Sequence, residues 1–140
     1  MSLDVVTLQQ AFAAVPFHAS FPLIIKLLDV EEGAIHCSVE PTIGLSRDPK
    51  RVELHGGAIA SLLDLSGTFL ILGLTGSAVA TIGMSIDFLA PARDGAFTIR
   101  ARILRAGRTI TVVDASLTDA NGVVSAVARG TYATPKEAST

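Results

Sequence analysis

The 140-residue chain reads as an α+β protein, an antiparallel sheet of about six strands wrapped around one long central helix. Three features lead there. One segment, Gly57 to Leu74, is apolar nearly all round, rich in Leu and Ala, and too long for a strand. Other segments alternate or run apolar over strand lengths, two before the helix and four after it. Hydrophobic residues make up 49% of the chain and charged ones only 17%, against roughly 25% in an average soluble domain. With one helix long enough to cover a sheet, the sheet must curl around that helix.

The elements follow in order. Residues 1–140 are read as one domain, because a chain of this size buries roughly two-thirds of its unfolded surface and has no room for a second core. Residues 1–20 are an N-terminal helix and lead-in, amphipathic from Val5 to Val15 and stopped by Pro16. Leu23 to Val30 and Ala34 to Glu40 are strands joined by the turn Glu31-Glu32-Gly33. Pro41 to Glu53 is a loop without regular structure, of a length that often serves function in compact domains. The helix then runs until Gly73 and Gly76 end it. Thr81 to Leu89 puts Ile82, Met84, Ile86 and Phe88 on one face and Thr81, Gly83, Ser85 and Asp87 on the other. Phe97 to Ile103 turns Phe97, Ile99, Ala101 and Ile103 inward, with Thr98, Arg100 and Arg102 outward. Thr109 to Leu117 and Val123 to Tyr132 are joined by Asp119-Ala120-Asn121-Gly122, a strong hairpin signal. The polar tail, 135–140, is expected to fray.

Composition excludes several functions. The apolar excess implies surface hidden in a membrane or in a partner. The longest apolar run, Ala58 to Leu74, falls short of the roughly 20 residues of a spanning helix and carries Asp64 near its middle, so no membrane span is expected. Met1 to Gln10 has Asp4 and lacks the basic and apolar regions of a signal peptide. A cytoplasmic protein with its hidden surface between subunits is the consistent reading. A net charge of −2 and a pI near 5.8 argue against nucleic acid. The single cysteine, Cys37, alternates with Ile35 and Val39 and serves as a small buried hydrophobe. His18, His36 and His55 are too scattered to hold a metal.

The chemistry concentrates in His55-Gly56-Gly57-Ala58-Ile59-Ala60-Ser61-Leu62-Leu63-Asp64. Two glycines at a helix start leave backbone N–H groups approachable at the positive end of the dipole, a ready site for a developing oxyanion; alternatively they only permit a tight turn. Asp64 is the only charged residue between His55 and Asp87 and lies two turns inside an apolar helix. Burying a carboxylate is costly unless it is paired or functional. Gly57 and Asp64 are seven residues apart, about 10 Å along a helix axis, whereas a base and an oxyanion donor must each come within about 3 Å of the group they serve. One helix cannot easily offer both to one carbonyl. Two antiparallel helices across a two-fold axis can, with Gly57 of one chain facing Asp64 of the other.

The run His55-Gly56-Gly57 followed by Ser61-Leu62-Leu63-Asp64 resembles the acyl-CoA thioesterases of the hotdog superfamily, in particular the phenylacetate-degradation (PaaI-like) branch. Ile86-Asp87-Phe88-Leu89-Ala90-Pro91, Leu104-Arg105-Ala106-Gly107-Arg108 and the strand Ala126 to Tyr132 extend the likeness over roughly 23–133. The resemblance implies the hotdog fold, a homodimer with a continuous sheet, and often a homotetramer. It implies Asp64 as nucleophile or general base and the Gly57 N–H polarising the thioester carbonyl. His55 would shape the site, or else serve as a structural histidine bonding the loop backbone. Thr81 stands where the family has Ser or Thr orienting water or the carboxylate. Gly56, beside Gly57, belongs to the substrate site. Lys50, Arg51, Arg105 and Arg108, with Arg93, are candidates for the phosphates of coenzyme A. The family often carries an Asn six residues before the histidine; here that residue is Pro49, in the loop Ser46-Arg47-Asp48-Pro49-Lys50-Arg51-Val52-Glu53, with Asp48 beside it. The expected activity is hydrolysis of an acyl-CoA with a medium-chain or aryl acyl group. No metal or other cofactor is needed, coenzyme A being part of the substrate. Two other readings fit the same architecture: a non-catalytic acyl-CoA or lipid-binding module, and an enoyl hydratase or dehydratase, which would rely on a catalytic histidine.

Overall fold

A computed structural model describes residues 1–93 and 95–136. Six antiparallel strands form one sheet: β1 (Leu23–Asp29), β2 (Ala34–Val39), β3 (Thr81–Phe88), β4 (Phe97–Ala106), β5 (Ile110–Thr118) and β6 (Val124–Ala133). Their spatial order is β1-β2-β4-β5-β6-β3, which leaves β1 and β3 as the two edges. The helix α2 (Gly56–Thr75) lies in the concave face. A shorter helix, α1 (Val5–Ala13), closes one end by burying Leu8 and Phe12.

Helix α2 buries Leu62, Leu63, Phe69, Leu70 and Ile71 against inward residues of the central strands, among them Phe97, Ile99, Ala101, Val113 and Leu117. Its 20 residues, one more at each end than the sequence expectation, make it long and apolar enough to cross a membrane by length and composition, and what sets it apart from a span is that 61% of its most apolar window is buried in the fold. Gly76, not Gly73, terminates it: Gly76 takes a left-handed φ of 76° and its N–H returns to the Leu72 carbonyl at 2.7 Å. Gly73 lies inside the helix, where a Cβ would come within 2.9 Å of Leu28 and Leu8; it makes room for α1 and β1 to meet α2.

The hairpins match their turn chemistry. Asp119 Oδ1 accepts the N–H groups of Asn121 and Val123, both at 2.9 Å, and Gly122 supplies a φ of 83°. Cys37 is buried in β2, and desolvation pushes its thiol up to about 12. Two expectations change. The segment Pro41 to Glu53 is tied down: it holds a short 3-10 turn, Ile43–Leu45, and isolated bridges link Ser46 to Leu54 and Glu53 to Arg93. Met84, Ile86 and Phe88 of β3 pair with Gly130, Ala128 and Ala126 of β6 on one face as read, but the register shift between Thr81 and Gly83 turns Thr81, expected on the opposite face, to the helix side beside Tyr132, and Ile82 and Phe88 stay 60% and 56% exposed on this edge strand. Of the tail expected to fray, 137–140 lie outside the described residues.

At the other edge, the Gln9 side chain of α1 donates to the Leu23 carbonyl at 3.1 Å and accepts from the Ile25 N–H at 2.8 Å, standing in for a neighbouring strand. Gln9→Ala removes both bonds and is expected to cost roughly 1–2 kcal/mol, read as a lowered midpoint in thermal or urea unfolding.

Candidate active site

Asp64 sits half-buried on α2, and its carboxylate meets the sheet. The Thr81 hydroxyl donates to Asp64 Oδ1 at 2.7 Å, and the Tyr132 hydroxyl lies 3.3 Å from the same oxygen and 3.4 Å from the Asp64 carbonyl. Thr81 and Tyr132 are cross-strand partners on β3 and β6, so one sheet position supplies both hydroxyls. Among the described residues Asp64 has no ion pair, and its Oδ2 accepts no hydrogen bond. A carboxylate held by hydroxyls on one oxygen keeps the other available for chemistry.

Two turns earlier, the start of α2 is built by His55 and the two glycines. His55 is the N-cap; its Nδ1 accepts the Gly57 N–H at 2.9 Å, which places the proton of the neutral ring on Nε2. The N–H expected to polarise a carbonyl is thus already donated. Gly56, the first helical residue, has no such partner among the described residues, and it borders a cleft of about 420 Å³ with Arg47, Glu53, Ile59, Phe88 and Leu89. His55 and Gly57 are therefore brought together, as are Asp64 and Thr81, but the two pairs sit at different points along one helix.

The cationic candidates divide by position. Lys50 and Arg51 are exposed in the loop before α2, near its N-terminus. Arg105 and Arg108 are exposed at the β4–β5 turn, beside the end of the sheet where Thr81 and Tyr132 lie. Asp48 does not reach the site as the family Asn would: its Oδ1 accepts the Lys50 N–H at 2.8 Å and its carboxylate pairs with Arg51 at 3.4 Å. A wider depression of about 880 Å³ lies over the outer face of the sheet, around Arg100, Arg102, Asp114 and Arg129; none of the site residues read from the sequence lines it. Among the described residues no three His, Cys, Asp or Glu side chains converge as a metal site.

Glu53 was not singled out by its sequence context, yet it organises this end of the molecule. It is only 3% exposed, and its carboxylate is held by Arg47 on one oxygen and Arg93 on the other, with Arg51 3.6 Å away. These bonds, led by that from Arg93, lower its carboxyl to about 2 from an ordinary value of 4.5. Ser46 Oγ closes the same loop by accepting the Asp48 and Glu53 N–H groups at 3.1 and 3.0 Å. The loop before α2 is thereby clamped to the β3–β4 connection, and the cleft between them acquires fixed walls.

A sheet wrapped around a buried helix, with a lone carboxylate on that helix and glycines at its start, is the hotdog arrangement. The chain belongs to the thioesterase superfamily, whose family model matches residues 53–126. A presumed esterase of Saccharolobus solfataricus is 32% identical over 79% of this chain and 78% of its own length. The medium/long-chain acyl-CoA thioesterase YigI of Salmonella typhimurium is 32% identical over 56% of this chain and 61% of its own. Across these curated relatives the match spans between 57% and 78% of the relative's length. Among solved structures, zebrafish thioesterase superfamily member 2 superposes with a TM-score of 0.83 at 26% identity, covering 96% of this chain and 100% of that one. The PaaI protein of the Escherichia coli phenylacetic acid degradation operon gives 0.78 at 21% identity, over 91% and 90%.

The clamp has a pH signature. Glu53's carboxyl is depressed in the fold, so its contribution to stability is complete above about 4.5 and is lost as pH falls from there toward about 2. Glu53→Gln should melt below the wild type at pH 7, and the difference should shrink toward zero near pH 2 when followed by circular dichroism.

Proposed function

We propose that the chain is an acyl-CoA thioesterase, acting as a homodimer that assembles further into a homotetramer. The single observation that carries this reading is Asp64, a carboxylate set in an otherwise apolar helix, oriented by Thr81 and left with one oxygen free among the described residues. Water adds to the thioester carbonyl, the C–S bond breaks, and free acid and the coenzyme A thiol leave. Asp64 either takes the proton of the attacking water or attacks the carbonyl itself, forming an anhydride that water then opens. The carbonyl oxygen is received at the first turn of α2, where the Gly56 N–H is unpaired among the described residues and the Gly57 N–H, donated to His55 Nδ1, lies beside it. No cofactor takes part, and a cytoplasmic location goes with the substrate.

The geometry of one sheet edge supports the dimer. Antiparallel pairing of two β3 edges would cover the exposed Ile82 and Phe88 and continue the sheet. It would set the Thr81 end of one protomer's β3 against the Phe88 end of its partner's, and with it Asp64 against the start of the facing α2. Arg105 and Arg108, far from Lys50 and Arg51 within one chain, would join them around the same substrate. Leu, Ile59 and Phe88 side chains suit a medium-chain or aryl acyl group. A binding module has no need of a charged group in the helix, and a hydratase would need a histidine within it.

A thiol-trapping assay over a panel of acyl-CoA esters, including octanoyl-CoA and benzoyl-CoA, is expected to show release of free thiol; tight binding without release would favour the binding module, and hydration of an enoyl-CoA the hydratase. Asp64→Asn or Asp64→Ala should abolish turnover while gel filtration shows the oligomer intact. Proline is well tolerated at the first helical position, so Gly56→Pro removes one N–H donor with little harm to α2 and should also be inactive. Co-assembling Asp64→Ala with Gly56→Pro chains should restore about one quarter of wild-type activity, since half of the dimers would carry one intact composite site. Absence of any recovery would place both residues in one subunit's site.

A further inference from the structure

Tyr132 is the only tyrosine of the chain, and it is 1% exposed. Its ring occupies a slot cut by two glycines. A Cβ on Gly67 of α2 would stand 2.3 Å from the Tyr132 hydroxyl, and one on Gly130 of β6 would stand 2.6 Å from Cε2 and 2.8 Å from the hydroxyl. Glycine is among the poorest residues for a helix interior, and Gly67 lies in the middle of α2 on a buried face. Nothing larger fits there while the ring keeps its place. The slot ends at Asp64: the hydroxyl has no other partner among the described residues than the Asp64 carbonyl at 3.4 Å and Oδ1 at 3.3 Å. A buried phenol needs a partner, and this one finds it in the carboxylate to which the reaction has been assigned. Burial and the neighbouring carboxylate push the Tyr132 hydroxyl well above its usual value, so it remains a donor.

Thr81 and Tyr132 converge on the same oxygen, Oδ1. Two donors on one oxygen fix the plane of the carboxylate and turn the other oxygen outward. We propose that Tyr132 is a positioning residue for thioester hydrolysis: with Thr81 it anchors Asp64 through Oδ1 and so presents Oδ2 to water or to the thioester. Gly67 and Gly130 are then parts of the same device, conserving the space in which the phenol reaches the carboxylate. This inference rests on Asp64 being the reacting carboxylate.

Tyr132→Phe keeps the ring in its slot and deletes only the hydroxyl. With the best substrate of the acyl-CoA panel it is expected to lower kcat about fivefold to tenfold and to leave KM within about twofold, the pattern of a contact that matters in the transition state rather than in binding. Gly67→Ala, which displaces the phenol without removing it, should lower kcat in the same way. Asp64→Asn in the same assay separates the two levels of the argument. Turnover retained in Asp64→Asn would overturn Asp64 as the reacting carboxylate and this inference with it, whereas no thiol release by the wild type on any ester of the panel would overturn the thioesterase reading itself. If Asp64→Asn is inactive while Tyr132→Phe keeps the wild-type kcat, or changes only KM or the melting temperature, Tyr132 is a core residue and the positioning role is wrong.

Discussion

Helix α2 has eleven buried residues among its 20 and a single charged side chain, and covering it governs the rest of the molecule. Apolar surface of that length left in water would cost far more than a domain of this size can recover elsewhere. The sheet therefore curls, α1 caps one flank through Leu8 and Phe12, and the strands that face the helix carry small or branched residues at alternate positions. Where the cover runs out, at β3, apolar side chains remain in the open. The one carboxylate on the helix falls at that margin, where it can be held by the sheet on one side and approached from the other.

Two carboxylates near the site are treated in opposite ways. Glu53 is saturated by guanidinium groups, and its role is mechanical, joining the loop before α2 to the β3–β4 connection. Asp64 is given hydroxyls and no cation among the described residues. A guanidinium on Asp64 would neutralise the charge and occupy both oxygens; a hydroxyl orients it and leaves the second oxygen bare. The contrast separates a group used for construction from one suited to reactivity, although the two are only eleven positions apart in the chain.

Much of this was legible in the residues. The Asp119-Ala120-Asn121-Gly122 turn located the last hairpin within a residue, and the alternation in 97–103 located the start of β4, which runs three residues further, to Ala106, since local patterning decides both. The helix and the isolation of Asp64 were equally plain. What local pattern does not encode is strand order: that β3 closes the sheet beside β6, at an edge, depends on pairing across some forty residues, so Ile82 and Phe88 looked like core. Gly73 and Gly76 both resemble stop signals, and only packing against Leu8 and Leu28 separates them. Tyr132 reads as the inward end of a strand; its meeting with Asp64 spans 68 positions and needs the glycine at 67, whose purpose is invisible until the ring is seen beside it. Glu53 sat among loop charges of the kind that are ordinarily solvated.

The two edges of the sheet are not equivalent. At β1 the amide of Gln9 takes up a carbonyl and an N–H, and a bulge between Ile25 and Leu27 breaks the register beyond it. At β3 no comparable side chain intervenes among the described residues. A ribbon that could add strands at both sides would propagate, copy upon copy, toward a fibre. With the β1 side occupied by the Gln9 amide, such growth has only the β3 edge open to it, and a sheet with one open edge has a single valence.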